Sequence, residues 1–183
     1  HLGTATIRTR LLITFVALAT LPMSTTSTVS SILSARNAQE RVITRLESVA
    51  KLKDVEIHTW LETLPADLTN PGIPAGRAET DALNAIMAER PGLGKSGKAS
   101  LVNRDHILLT GSHDEETVAG KTRVESEGIT EALDTRAHGS GLYNDYGGVP
   151  VIGVYRWLPA LQAVLMVEQD RSETLHSMQT TLR

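Results

Sequence analysis

The apolar residues of this chain change period once, at "PGLGKSG" (Pro91–Gly97), and that change separates what can be helix from what can be sheet. Before it, Val42, Leu46, Val49, Ile57, Trp60, Leu61 and Leu64 recur every three or four residues, with charged residues on the other face. The spacing predicts a long helix over Asn37–Leu64, continuous with the segment before it and interrupted on its apolar face only by Lys53 and Glu56. Pro65 and "NPGIP" (Asn70–Pro74) end it, and a second helix follows over Glu79–Arg90, with Leu83, Ile86 and Met87 on one face. After the glycines the period is two. "KASLVNR" and "HILLTGS" read as strands joined tightly at Arg104–Asp105. A polar crossover, "ETVAGKTRVESEG", leads to a short helix at Ile129–Leu133. Then come "GLYND", "VPVIGVYRWL" and "AVLMVEQD", with turns at Gly147–Gly148 and Pro159–Ala160. "RSETLHSMQTTLR" closes the chain as a polar helix with Ser172 as its cap. The expected fold is α+β: a long N-terminal helix on a five-stranded antiparallel sheet, with a C-terminal exit helix.

The glycines themselves invite a nucleotide reading, because Gly92, Gly97 and Lys98 match most of a phosphate-binding loop. Such a loop needs a strand before it and a helix after it, so that the helix N-terminus meets the phosphate. Here the order is inverted, and Ala99 stands where a hydroxyl should hold magnesium. The stretch reads instead as a flexible entry into the first strand.

At the N-terminus, Arg8 and Arg10 precede Leu11–Ala35, which is free of charge. As a helix, that stretch would reach about 37 Å, enough for a hydrocarbon core of about 30 Å. The arginines would keep the N-terminal side in the cytoplasm. The half from Ser24 to Ser34 is rich in Ser and Thr, which add little insertion energy. Three readings stand: a signal anchor, a cleaved signal peptide with its apolar region at Leu11–Leu21, and a soluble helix.

Composition excludes more than it selects. A formal net charge of −3 with scattered basic residues gives no stripe for nucleic acid. The absence of cysteine removes disulfides, thiol catalysis and thiolate metal sites. The histidines lack the i, i+4 spacing of a helical metal pair; His106 and His113 bracket one strand, with Asp114, Glu115 and Glu116 beside the latter. "HGSGLY" (His138–Tyr143) lacks the strand-to-helix turn of a nucleophile elbow, and Glu125 and Glu127 lie on a polar stretch. No enzyme, cofactor or metal is expected.

"GKSGKASLVNRDHILLTGS" together with "GLYNDYGGVPVIGVYRWLPALQAVLMVEQDRSE" resembles the Cache family of extracytoplasmic sensor domains, found in bacterial histidine kinases, nucleotide cyclases and chemoreceptors. The hairpin string from Tyr143 to Leu161 is the most specific part. The resemblance implies a PAS-like sheet outside the cytoplasmic membrane, held by the long helix, dimeric through it, with a small ligand between the sheet and its covering loops. His106 occupies a position where similar sequences commonly carry a turn glycine. On this reading residues 1–10 are a cytoplasmic flank, 11–35 the anchor and 36–170 the sensor domain. Residues 171–183 are an exit helix toward a second membrane segment that this sequence does not contain.

All three tyrosines and one of the two tryptophans lie between Tyr143 and Trp157. Alternation along "VPVIGVYRWL" puts Val151, Gly153, Tyr155 and Trp157 on one face, and Ile152, Val154, Arg156 and Leu158 on the other. Arg156 is thus a cation among apolar neighbours, costly to bury without an anion. Its planar fork suits a ligand carboxylate; the alternatives are an ion pair with Glu168 or Asp170 of the next strand, or simple exposure at the end of the sheet. Tyr143, Tyr155 and Trp157 are candidates to wall a pocket or to fill the core. Asp145 and Asp170 are candidates to hold an amine. The leading expectation is a membrane-anchored, small-molecule sensor. Its rivals are a ligand-free structural or dimerisation module of the same fold and a soluble secreted binding protein released near Ala35.

Overall fold

The computed structural model describes residues 7–64, 77–110 and 118–174. Two compact units divide the chain, His1–Ala38 and Gln39–Arg183. The N-terminal one is helical from Ile7 onward, in the first part of α1 (Ile7–Thr63). The expected anchor, 11–35, lies on this helix. Among the described residues no helix is long and apolar enough to cross a membrane.

The second unit contains the rest of α1, then α2 (Arg77–Ala88), β1 (Lys98–Asn103), α3 (Glu127–Thr135), β2 (Gly139–Asn144), β3 (Pro150–Leu158) and β4 (Ala163–Asp170). The strands form one antiparallel sheet in the order β1-β4-β3-β2. Its faces are covered by different elements, and each has its own core. On one side Leu46, Val49, Ala50 and Ile57 of α1, with Leu83 and Met87 of α2, pack on Leu101, Ile152, Val154, Leu165 and Val167. On the other, Ile129 and Ala132 of α3, with Leu108 and Val124, pack on Tyr143, Val151, Tyr155, Trp157 and Met166. The side chains of β3 and β4 are accordingly buried almost without interruption, as a sheet covered on both faces requires.

The interruption in the apolar stripe of α1 has a local cause. Lys53 is buried, and its ammonium donates to the carbonyls of Ile86 and Glu89 at 2.5 and 3.0 Å. It thereby satisfies acceptors left open at the C-terminal end of α2. Burial lowers its pKa, against the pull of Glu56 and Glu89. α3 is capped at both ends: Ser126 Oγ accepts from Ile129 N, and Arg136 closes the helix in the left-handed region at φ 50°.

Among the described residues the sheet has four strands, not five. Of the expected strand "HILLTGS", the described part His106–Thr110 runs beside β1 but divides its hydrogen bonds between two neighbours: Leu109 N donates to Leu101 O, while Leu108 N donates to Thr122 O and Val124 N to His106 O. Only isolated bridges result, Val102 with Leu108 and Ile107 with Arg123. The turn before it sets this course. Asn103 Oδ1 accepts from the amides of Asp105 and Ile107, and His106 sits at φ +61°. The Thr110 hydroxyl then takes the Leu101 amide that a ladder would have used.

The proline-rich end expected for the long helix, the acidic run at 113–116 and the exit helix beyond Thr174 lie outside the described residues. Helical backbone is present from Arg171 to Thr174, one residue ahead of the expected cap at Ser172.

Candidate ligand site

Register across the sheet brings together a set of charges that no single stretch of sequence displays. Lys98 of β1 lies opposite Glu168 of β4, and Glu168 lies opposite Gly153 of β3. Glu168 is only 2 % exposed, and the Lys98 ammonium is 4.0 Å from its carboxylate. Lys98 also donates to Asp145 Oδ2 and stands 4.6 Å from the centre of the Tyr146 ring, a cation–π contact.

Asp145 works in two directions. Its Oδ1 accepts from the amides of Gly147 and Val149 at 2.9 and 2.8 Å, which fixes the turn between β2 and β3, while Oδ2 holds Lys98. Burial works against its charge, but Lys98 and the two amides outweigh it and lower its pKa. For Glu168 burial wins over the attraction of Lys98, and its pKa rises to about 7. Lys98 is raised: its bond to Asp145 and the field of Glu168 exceed the cost of desolvation. Tyr143 is pushed up as well, first by burial and then by Glu168.

Tyr143 is seated over bare backbone. A Cβ on Gly153 would lie 1.9 Å from its hydroxyl, and one on Gly128 of α3 would lie 2.4 Å from its ring carbon Cζ. Two glycines therefore give the ring its place.

Beside this cluster, a cleft of about 240 Å³ runs along the edge of β1, between the strand, α2 and the glycine loop. Met87, Leu93 and Ala99 give it apolar walls; its charged lining is Lys98 and Arg90, and Tyr146 and Ser100 add polar tips. Leu101 and Asn103 turn their backbone groups away from β4, to Leu109, Thr110 and Ile107. Strand alternation turns the amide and carbonyl of Ala99 outward too, at the cleft.

The residues singled out from sequence do not form one site. Tyr143, Tyr155 and Trp157 share the face covered by α3 and are buried there as core. Asp145 accepts from the Lys98 ammonium of the chain itself. Asp170 ends β4 opposite Val151, and its backbone N–H donates to Ser96 Oγ. Arg156 is on the opposite face, half-buried, bonded neither to Glu168 nor to Asp170 but to Asp54 of α1. It borders a second, shallower cleft of about 350 Å³ with Lys51 and His138. Lys98, Tyr146 and Glu168 were not singled out. Glu168 carried the same signal as Arg156, since alternation in "AVLMVEQD" places it with Val164 and Met166. Among the described residues no group of three or more His, Asp or Glu could hold a metal ion.

No protein-family model matches the chain, and no curated protein matches it. Among solved structures, the chain is weakly similar to the extracellular domain of the candidate histidine kinase mmHK1S-Z2, at 19 % identity and a TM-score of 0.33. The match covers 43 % of this chain and 32 % of that one, so the chain spans about a third of its neighbour's length.

Proposed function

We propose that this chain is a small-molecule sensor domain of the Cache kind, the extracytoplasmic part of a bacterial transmembrane receptor such as a histidine kinase, nucleotide cyclase or chemoreceptor. The cleft beside Lys98 is its ligand site. One observation carries this reading: a cleft whose charged lining is two cations, Lys98 and Arg90, lies next to the buried Glu168, two residues before β4 ends and helical backbone begins. Cations at the rim and apolar walls between them suit a small carboxylate-bearing solute. Such a ligand competes with Asp145 and Glu168 for Lys98, and so acts on the end of β4. It favours one arrangement only by the difference in its affinity for the two. A second copy would join through α1, where Leu52 and Val55 are 53 % and 56 % exposed.

The test is a thermal-shift screen of the full chain against mono- and dicarboxylates, with amines and neutral analogues for comparison. A ligand at a hundred times its dissociation constant stabilises by about 2.7 kcal/mol. A carboxylate should raise Tm in the wild type and in Arg156→Ala, and lose that effect in Tyr146→Ala. A flat screen, or a shift that survives both Tyr146→Ala and Lys98→Met, removes the cleft as the site.

A second reading is favoured by the ion pairs themselves. Arg156 and Lys98 each already have a carboxylate partner within the chain, as expected of a ligand-free structural module. A flat screen selects it.

A further inference from the structure

The glycine loop, which cannot be a nucleotide loop, holds an anion from within the chain. The amides of Lys95 and Ser96 donate to Oε1 and Oε2 of Glu173 at 2.9 and 2.7 Å, and the Ser96 hydroxyl donates to Oε2 at 2.5 Å. Gly94, at φ +74°, curls the loop so that successive amides converge on one point, the geometry of an anion nest. A Cβ there would lie 2.6 Å from Glu173 Oε1, so the carboxylate rests against bare backbone.

Glu173 belongs to the helical turn Arg171–Thr174 that follows β4 directly. The same Ser96 hydroxyl accepts from the Asp170 amide at 3.1 Å. Gln169 of β4 bonds to Glu173 and accepts from Arg45 of α1. One line of polar contacts thus runs from α1 through the end of β4 and the turn after it to the loop between α2 and β1.

We propose that this contact is a latch: the Glu173 carboxylate occupies an exchangeable anion nest at Gly94–Ser96, fastening the turn that leaves β4, and the vacated nest accepts a free carboxylate. Three features support it. The main donors are backbone amides, already converged by the turn, so the nest persists without its occupant. Glu173 is half-exposed, so the contact opens without opening the core. Burial opposes its charge, yet the loop donors hold its pKa down to about 2, so it stays an anion across the neutral range. The latch stands whether or not the neighbouring cleft binds a solute.

Backbone NMR and hydrogen exchange on the full chain test it, with acetate as the probe and acetamide as its neutral counterpart. In Glu173→Ala the Lys95 and Ser96 amide resonances should move, and exchange over Gln169–Thr174 should quicken at least tenfold. Acetate should return both resonances saturably toward their wild-type positions, acetamide should not, and the wild type should ignore both. Glu173→Gln, which keeps the shape and one acceptor, should quicken exchange by a smaller factor and provides the reading if the alanine variant does not fold. Wild-type exchange in Glu173→Gln, or equal responses of Glu173→Ala to acetate and acetamide, overturns the proposal.

Discussion

The guanidinium of Arg156 donates from Nε and Nη2 to a single oxygen of Asp54, Oδ2, at 3.1 and 2.9 Å. This half-buried pair joins β3 to α1 across the face that α1 covers, so the cation that alternation placed among apolar residues is neutralised by the long helix. Truncating one partner leaves the other charged and partly desolvated. A double-mutant cycle with Arg156→Ala and Asp54→Ala should give a coupling of about 1–2 kcal/mol, between the values for exposed and fully buried pairs. Urea denaturation of the four proteins measures it, and a coupling near zero means that solvent screens the pair.

The buried carboxylate of Glu168 predicts an acid-side stability maximum. Its folded pKa of about 7 lies above its ordinary 4.5, so between those values the folded state holds a proton that the unfolded chain has released. The stability from this group is complete below about 4.5 and is lost as pH rises through about 7. Asp145 and Glu173 have lowered pKa values and act oppositely, losing their contribution as pH falls below the ordinary carboxylate range. Chemical denaturation between pH 4 and 8 should show stability declining from about 5 to 7.5, and Glu168→Gln should flatten that decline. A decline unchanged in the variant assigns the slope to another group.

The place of the Tyr143 ring predicts intolerance at a glycine. Gly153→Ala puts a methyl group 1.9 Å from the Tyr143 hydroxyl, and neither the sheet nor α3 leaves the ring an easy retreat. The cost should be about 2–3 kcal/mol by urea midpoint, the upper range for overpacking a core. Combining it with Tyr143→Ala should cost less than the sum of the two single changes. Additive costs mean that the ring and the methyl group do not meet.

The turn after β1 offers a gain and a loss. His106 holds φ +61°, a conformation that costs residues with a Cβ roughly 1–2 kcal/mol. His106→Gly should therefore stabilise by about 0.5–1 kcal/mol, once the greater freedom of glycine in the unfolded chain is deducted. Asn103→Ala removes the side-chain acceptor of two amides and should destabilise by about 1–2 kcal/mol. Thermal melts of both variants check the two signs.

Much of the architecture was legible because it rests on local rules. The periods of three to four and of two placed the helices and strands, and the bounds expected for β4 match those observed. The fifth strand failed because its fate depends on Asn103, Thr110 and a distant segment around Thr122, which compete for backbone groups that a ladder would use. The left-handed backbone of His106, at φ +61°, belongs to the turn that Asn103 closes, which no period in the sequence specifies.

The candidate site was far less legible, for a physical reason. Sequence pattern assigns a side chain to a face of its own element; it does not say what lies opposite. Alternation alone therefore determined that Arg156 and Glu168 each sit among apolar neighbours, and that the tyrosines crowd the β2–β3 hairpin. The antiparallel register decided that Glu168 meets Lys98, and the covering of the second face decided that Arg156 meets Asp54. That the glycine loop closes on Glu173 was likewise settled in three dimensions, because its two halves are separated by the whole sheet in sequence and by a hydrogen bond in space.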